Sequence, residues 1–122
     1  MKEGIVLFAH GSRDPDWARP FKKISTELAR GLPGTEIRLA YLEHMRPSLQ
    51  EALAELAAAG VASVRVVPLF FGLGGHLRQD LPRLVAAADP RLKIVIDPPI
   101  GEQPAVIEAI AEAIARAARA SP

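Results

Sequence analysis

The chain has 122 residues, 49% of them hydrophobic, and a formal net charge of +1. That size and apolar content predict a single domain over residues 1–122 with a real core, and exclude an intrinsically disordered chain. The near-neutral charge argues against bulk electrostatic binding to nucleic acid or anionic lipid, and the lack of cysteine excludes disulfides and thiolate metal sites. The first apolar run stops at His10. It is too short to cross a bilayer and has no signal-cleavage region, so a cytoplasmic chain without membrane association is expected.

GIVLFA (4–9) is a continuous apolar run, the pattern of a strand covered on both faces. Asp14 reads as a helix N-cap and Pro15 as the first helical residue. Trp17, Phe21, Ile24 and Leu28 then share one helical face, with Gly34 just past the end. EIRLAYL (36–42) predicts a second strand. Ser48 and Glu51 have capping-box spacing before Leu49, Leu53 and Leu56, in a helix ended by Gly60. SVRVVPLFF (63–71) predicts a third strand whose regular pairing stops at Pro68, because proline has no N–H for the ladder. A helix over 76–88 with Pro82 near its first turn, a strand over 92–97 and a helix from about Pro104 to Ala118 follow. Ile107, Ile110 and Ile114 form a stripe on that last helix. Ala-rich, low-relief helix faces at 52–59 and 111–120 suit packing on the sheet or on a partner. Four β-α units joined by short loops predict an α/β, flavodoxin-like fold. Its four-stranded parallel sheet has the order 2-1-3-4, with helices on both faces.

In such sheets ligands bind outside the carboxyl ends of the strands. His10, Gly11, Ser12 and Arg13 follow the first strand, and Glu43 and His44 follow the second. Gly72, Gly74, Gly75, His76, Arg78 and Asp80 follow the third, and Asp97 the fourth. All three histidines of the chain therefore fall at one edge. Taken singly, each is explained by a turn, a cap or a solvated loop, and the glycines by left-handed turns. Converging imidazoles and a carboxylate suit an open site for a borderline divalent metal, and imidazole accepts protons near neutral pH.

Other enzyme classes fit poorly. Ala9 stands where phosphohistidine phosphatases carry an arginine before the His-Gly pair, and no serine lies in a G-x-S-x-G elbow. FGLGGH has neither a following Gly-Lys-Ser/Thr nor dinucleotide-fingerprint spacing. By contrast, LFAHGSRDPDW, AYLEHMRPSLQEAL and VVPLFFGLGGHLRQDLP, in this order and spacing, closely resemble the small class II chelatases. These are the short-form, CbiX-like sirohydrochlorin chelatases that insert cobalt or iron into a tetrapyrrole. The likeness covers the chain to about Pro82; the C-terminal quarter is compatible but less diagnostic.

The resemblance implies a lyase of cobalamin or siroheme biosynthesis. Its substrates would be a sirohydrochlorin-type tetrapyrrole and a divalent metal, Co2+ favoured over Fe2+, with no further cofactor. It implies that His10 and His76 handle the metal and that Glu43 is the matching acidic group. Those three would leave coordination positions open to the macrocycle and supply a proton acceptor. The substrate's carboxylates make Arg13, Arg46 and Arg78 candidate rim contacts. Ser12, Leu73, Gly74 and Gly75 are candidate lining residues, and Leu77 a further apolar contact. His44 receives no role. Short chains of this type look like half of the two-domain chelatases, which implies a homodimer with the cleft between subunits. Nickel insertion into the same macrocycle, and non-catalytic metal or tetrapyrrole binding on the same fold, are the alternatives.

Overall fold

The structure is a computed structural model that describes residues 2–121. Its elements are β1 (Glu3–Ala9), α1 (Arg19–Gly31), β2 (Glu36–Tyr41), α2 (Leu49–Ala58) and β3 (Ser63–Pro68). They continue with α3 (Gly74–Ala86), β4 (Lys93–Ile96) and α4 (Pro104–Ala120). The strands form one parallel sheet in the order β2-β1-β3-β4, as the β-α alternation predicts. All four carboxyl ends therefore meet at one edge. β3 does stop at Pro68, and a last N–H from Leu69 to the Phe8 carbonyl at 2.8 Å closes the ladder.

The two sheet faces are covered unequally. Val6, Phe8, Ala40, Val64 and Val66 pack against Leu49, Leu53 and Leu56 of α2 and Leu77 and Leu81 of α3. Phe8, Leu49, Leu53, Leu56 and Leu81 are almost completely buried, each stabilising the fold by about 1.5–3 kcal/mol. On the opposite face the second cluster is small: Ala9, Ala18 and Tyr41, with Trp17 and Phe21 against them. The Trp17 and Phe21 rings lie 4.6 Å apart.

Several boundaries differ from the sequence pattern. Asp14 accepts from the Asp16 N–H at 3.0 Å, but what it caps is a 3-10 turn over Pro15–Ala18, and the α-helix proper begins at Arg19. α3 begins at Gly74 rather than at 76, so Pro82 lies inside the helix. α4 has the predicted stripe, yet none of its residues is fully buried and it packs chiefly on a 3-10 turn over Ile100–Glu102. Of the two Ala-rich faces, α2 sits on the sheet and α4 does not.

The capping box of α2 is complete. Ser48 Oγ accepts from the Glu51 N–H at 3.1 Å, and the Glu51 carboxylate accepts from the Ser48 N–H at 2.9 Å. Arg46 donates to the same carboxylate and, with the Ser48 N–H, lowers the Glu51 pKa to about 2. Arg91 does the same for Asp89, also to about 2. A lowered carboxyl pKa stabilises the fold above the unfolded value, about 4.3 for glutamate, and that contribution is lost as pH falls toward 2. Glu51→Gln should therefore flatten part of the decline in thermal midpoint over that acid range while leaving the Asp89 share. An unchanged slope would show that Glu51 carries none of it.

Candidate active site

The β1–β2 seam builds the core of the site. Beyond the paired strands, the Leu42 N–H donates to the Ala9 carbonyl at 2.9 Å and the Glu43 N–H to the His10 carbonyl at 3.1 Å. The two loops thus stay zipped past the sheet edge. Gly11 makes this closeness possible. Its φ is +95°, and a Cβ there would lie 1.9 Å from the Glu43 carbonyl oxygen, a conformation and an approach that suit glycine. The close neighbour of Gly11 is thus the chain's own backbone.

This seam delivers His10 and Glu43 to each other: His10 Nε2 lies 3.2 Å from Glu43 Oε1. His44, which sequence reasoning left without a role, reaches the same oxygen through Nε2 at 3.4 Å. It does so from a left-handed backbone, φ 66°. One carboxylate therefore lies between two imidazoles. A neutral ring donates its N–H to such an oxygen, and a protonated ring pairs with it ionically. Both His10 and Glu43 are about half exposed, so solvent and a ligand reach them.

His76 stands at the same edge, in the first turn of α3. It is exposed, and the described residues include no set of three His, Asp or Glu side chains with metal-holding geometry. The structure thus joins His10 to Glu43 and does not bring His76 into a three-residue set with them. Gly74 has the left-handed φ of +73° at this turn, whereas a Cβ on Gly75 would meet nothing within 4 Å.

The remaining candidates divide by what they touch. Arg13 and Arg78 are exposed and make no ion pair among the described residues. Arg46 is committed to Glu51. Ser12 Oγ accepts from the Asp14 N–H at 3.1 Å and so shapes the turn after β1. Leu73 is half-buried against the core and Leu77 is buried within it, so Leu77 offers no surface to a ligand. The exposed apolar groups after the strands are Leu42 and Phe71, the latter 72% exposed. Phe70 lies beside His10, their ring centroids 6.3 Å apart. The double Phe beyond Pro68 was the available signal: two aromatics past the last ladder residue cannot both be sheet core.

An open parallel sheet with this strand order and an imidazole–carboxylate cluster at its carboxyl edge defines a chelatase-like α/β protein. The family model described as CbiX matches residues 4–117, and the chain belongs to the CbiX family. A sirohydrochlorin cobaltochelatase of Saccharolobus solfataricus is 36% identical over 91 residues, 75% of this chain and 70% of the relative. One from Sulfolobus acidocaldarius is 30% identical over 109 residues, 89% of this chain and 87% of the relative. The crystal structure of a cobalamin (vitamin B12) biosynthesis CbiX protein from Marinobacter aquaeolei VT8 superposes with a TM-score of 0.83 at 32% identity. It covers 98% of this chain and 99% of that one.

Proposed function

We propose that this chain is a sirohydrochlorin chelatase that inserts Co2+ into the macrocycle in cobalamin biosynthesis, working as one domain in the cytoplasm and as a homodimer. The observation that carries the reading is the His10–Glu43 contact of 3.2 Å at the carboxyl edge of the sheet. The names of the relatives supply the substrate.

Insertion requires a divalent ion held firmly enough to be captured and loosely enough to be handed over. Imidazoles and one carboxylate are suitable donors for Co2+, and an incomplete shell leaves positions for the pyrrole nitrogens. Here His10, Glu43 and His76 act as that shell, with His76 approaching from the far side of the macrocycle. Each of two pyrrole N–H groups must lose a proton as the ion enters. The ring nitrogen freed from the metal takes one and the Glu43 carboxylate the other, and both then pass to solvent. Arg13 and Arg78 hold carboxylates of the substrate rim, with Ser12, Leu73, Gly74 and Gly75 lining the approach. Leu42 and Phe71 supply apolar contact to the ring.

Anaerobic incubation of the protein with sirohydrochlorin and Co2+, Fe2+ or Ni2+ in turn, followed by absorbance, tests this reading. Cobalt insertion should run well above the metal-and-substrate background. No acceleration with any of the three ions would overturn the chelatase reading, and faster insertion of iron or nickel would overturn the assignment of cobalt.

A further inference from the structure

Among the described residues, His44 is the one non-glycine residue with a positive φ, 66°. Glycine takes that conformation freely, whereas histidine carries a steric cost there. The loop imposes the conformation from both sides. The Glu43 N–H is tied to the His10 carbonyl at 3.1 Å, and the Tyr41 N–H donates to the Pro47 carbonyl at 2.9 Å. Met45 packs on the small cluster around Tyr41, and Arg46 is committed to Glu51. Position 44 thus lies in a closed loop pinned on each side, in a conformation that suits glycine, and yet it carries an imidazole. Strained backbone that the surroundings over-determine clusters at functional sites.

What the ring meets is Glu43. His44 Nε2 lies 3.4 Å from Glu43 Oε1, against 3.2 Å for His10 Nε2 on the same oxygen. Of the two approaches, only that of His10 has hydrogen-bond geometry. His44 is also the less accessible ring, its side chain 34% exposed against 54% for His10. Among the described residues His10, Glu43 and His44 do not make a three-donor metal set. The second imidazole is therefore aimed at the carboxylate.

A ring nitrogen whose hydrogen is on Glu43 has no lone pair for a metal ion. An ion captured at His10 Nε2 therefore releases Glu43 Oε1, and the carboxylate loses its closest partner just when it must act. We propose that His44 is the positioning residue that takes over. Its ring closes the remaining distance to Oε1 and keeps the carboxylate at the seam while His10 turns to the ion. Removing a partner that orients a metal-ligating carboxylate changes metal affinity or activity by about 10- to 100-fold. The proposal rests on the chelatase reading for its reaction, but not for its metal-binding test.

Two substitutions isolate the ring. His44→Gly suits the φ of 66° and removes the side chain. His44→Gln keeps an N–H donor on a side chain of similar reach but offers no imidazole to a metal. Co2+ binding to the protein alone is followed by titration calorimetry, and insertion into sirohydrochlorin by initial rates. His44→Gly should match or exceed the parent thermal midpoint, bind Co2+ about 10-fold more weakly and lower kcat about 10-fold, with KM for sirohydrochlorin unchanged. His44→Gln should regain most of both losses. In a Glu43→Ala background, His44→Gly should change Co2+ affinity no further, because the two side chains act as one unit. Equal Co2+ affinity and kcat in His44→Gly and the parent would overturn the proposal. So would an affinity loss that persists undiminished in the Glu43→Ala background, which would make His44 a metal ligand in its own right. A parent chain that binds Co2+ but inserts no metal would overturn the chelatase reading instead, and the affinity comparison would still decide the role of His44.

Discussion

Gly11→Ala is expected to lower folding stability by about 3 kcal/mol and to abolish metal insertion in the molecules that still fold. Two costs act together. The φ of +95° is unfavourable for any side chain, and the new Cβ would stand 1.9 Å from the Glu43 carbonyl oxygen. That oxygen cannot simply withdraw, because the Leu42 and Glu43 N–H groups are bonded to β1 and to His10. Relief of the clash must unzip the seam, and with it the His10–Glu43 contact. Gly75→Ala is the matching control. Gly75 lies in the first turn of α3 with nothing within 4 Å of its added Cβ, so that change should be neutral or slightly stabilising. Urea unfolding of the two variants beside the parent chain makes the comparison. Equal midpoints for Gly11→Ala and the parent would show that the seam is not under steric control.

His10→Ala and His76→Ala are each expected to reduce the insertion rate by about 100-fold or more, the scale of a lost proton acceptor or metal donor. Stability should change little. Both side chains are exposed, and the fold does not rest on either of them. Glu43→Gln keeps the size and the hydrogen-bonding capacity of the side chain but removes the charge between His10 and His44. It should therefore lose proton acceptance and retain tetrapyrrole binding. Initial rates at saturating metal, with tetrapyrrole binding followed separately by absorbance, distinguish the two kinds of loss.

Strand order and the gathering of the three histidines at one edge were legible in the sequence because both follow from local signals. Apolar runs mark buried parallel strands, the intervening helices force parallel connections, and parallel strands put every following loop at the same edge. The capping box at Ser48 and Glu51 and the end of β3 at Pro68 were legible for the same reason, since each is decided within a few residues. The role of Gly11 was legible only in part. Its sequence neighbours require a turn, but the atom that excludes a side chain belongs to Glu43 on another strand. His44 was missed because its approach to Glu43 depends on a left-handed backbone in a loop, which no periodicity reports. Leu77 was misplaced because it belongs to the apolar stripe of α3 with Leu81 and Leu84, the face that packs into the core. The Ile stripe of α4 follows the helical period as read, but periodicity carries no information about which surface such a stripe meets, and in the structure Ile107, Ile110 and Ile114 stay exposed.

The initial rate of Co2+ insertion into sirohydrochlorin by a folded His10→Ala/His76→Ala chain tests the site most directly, with circular dichroism and the thermal midpoint matched to the parent chain. Metal handling by these two imidazoles predicts a rate indistinguishable from the protein-free background. A near-parental rate in the folded double variant would contradict it, reducing both histidines to turn residues and moving the chemistry away from the carboxyl edge of the sheet.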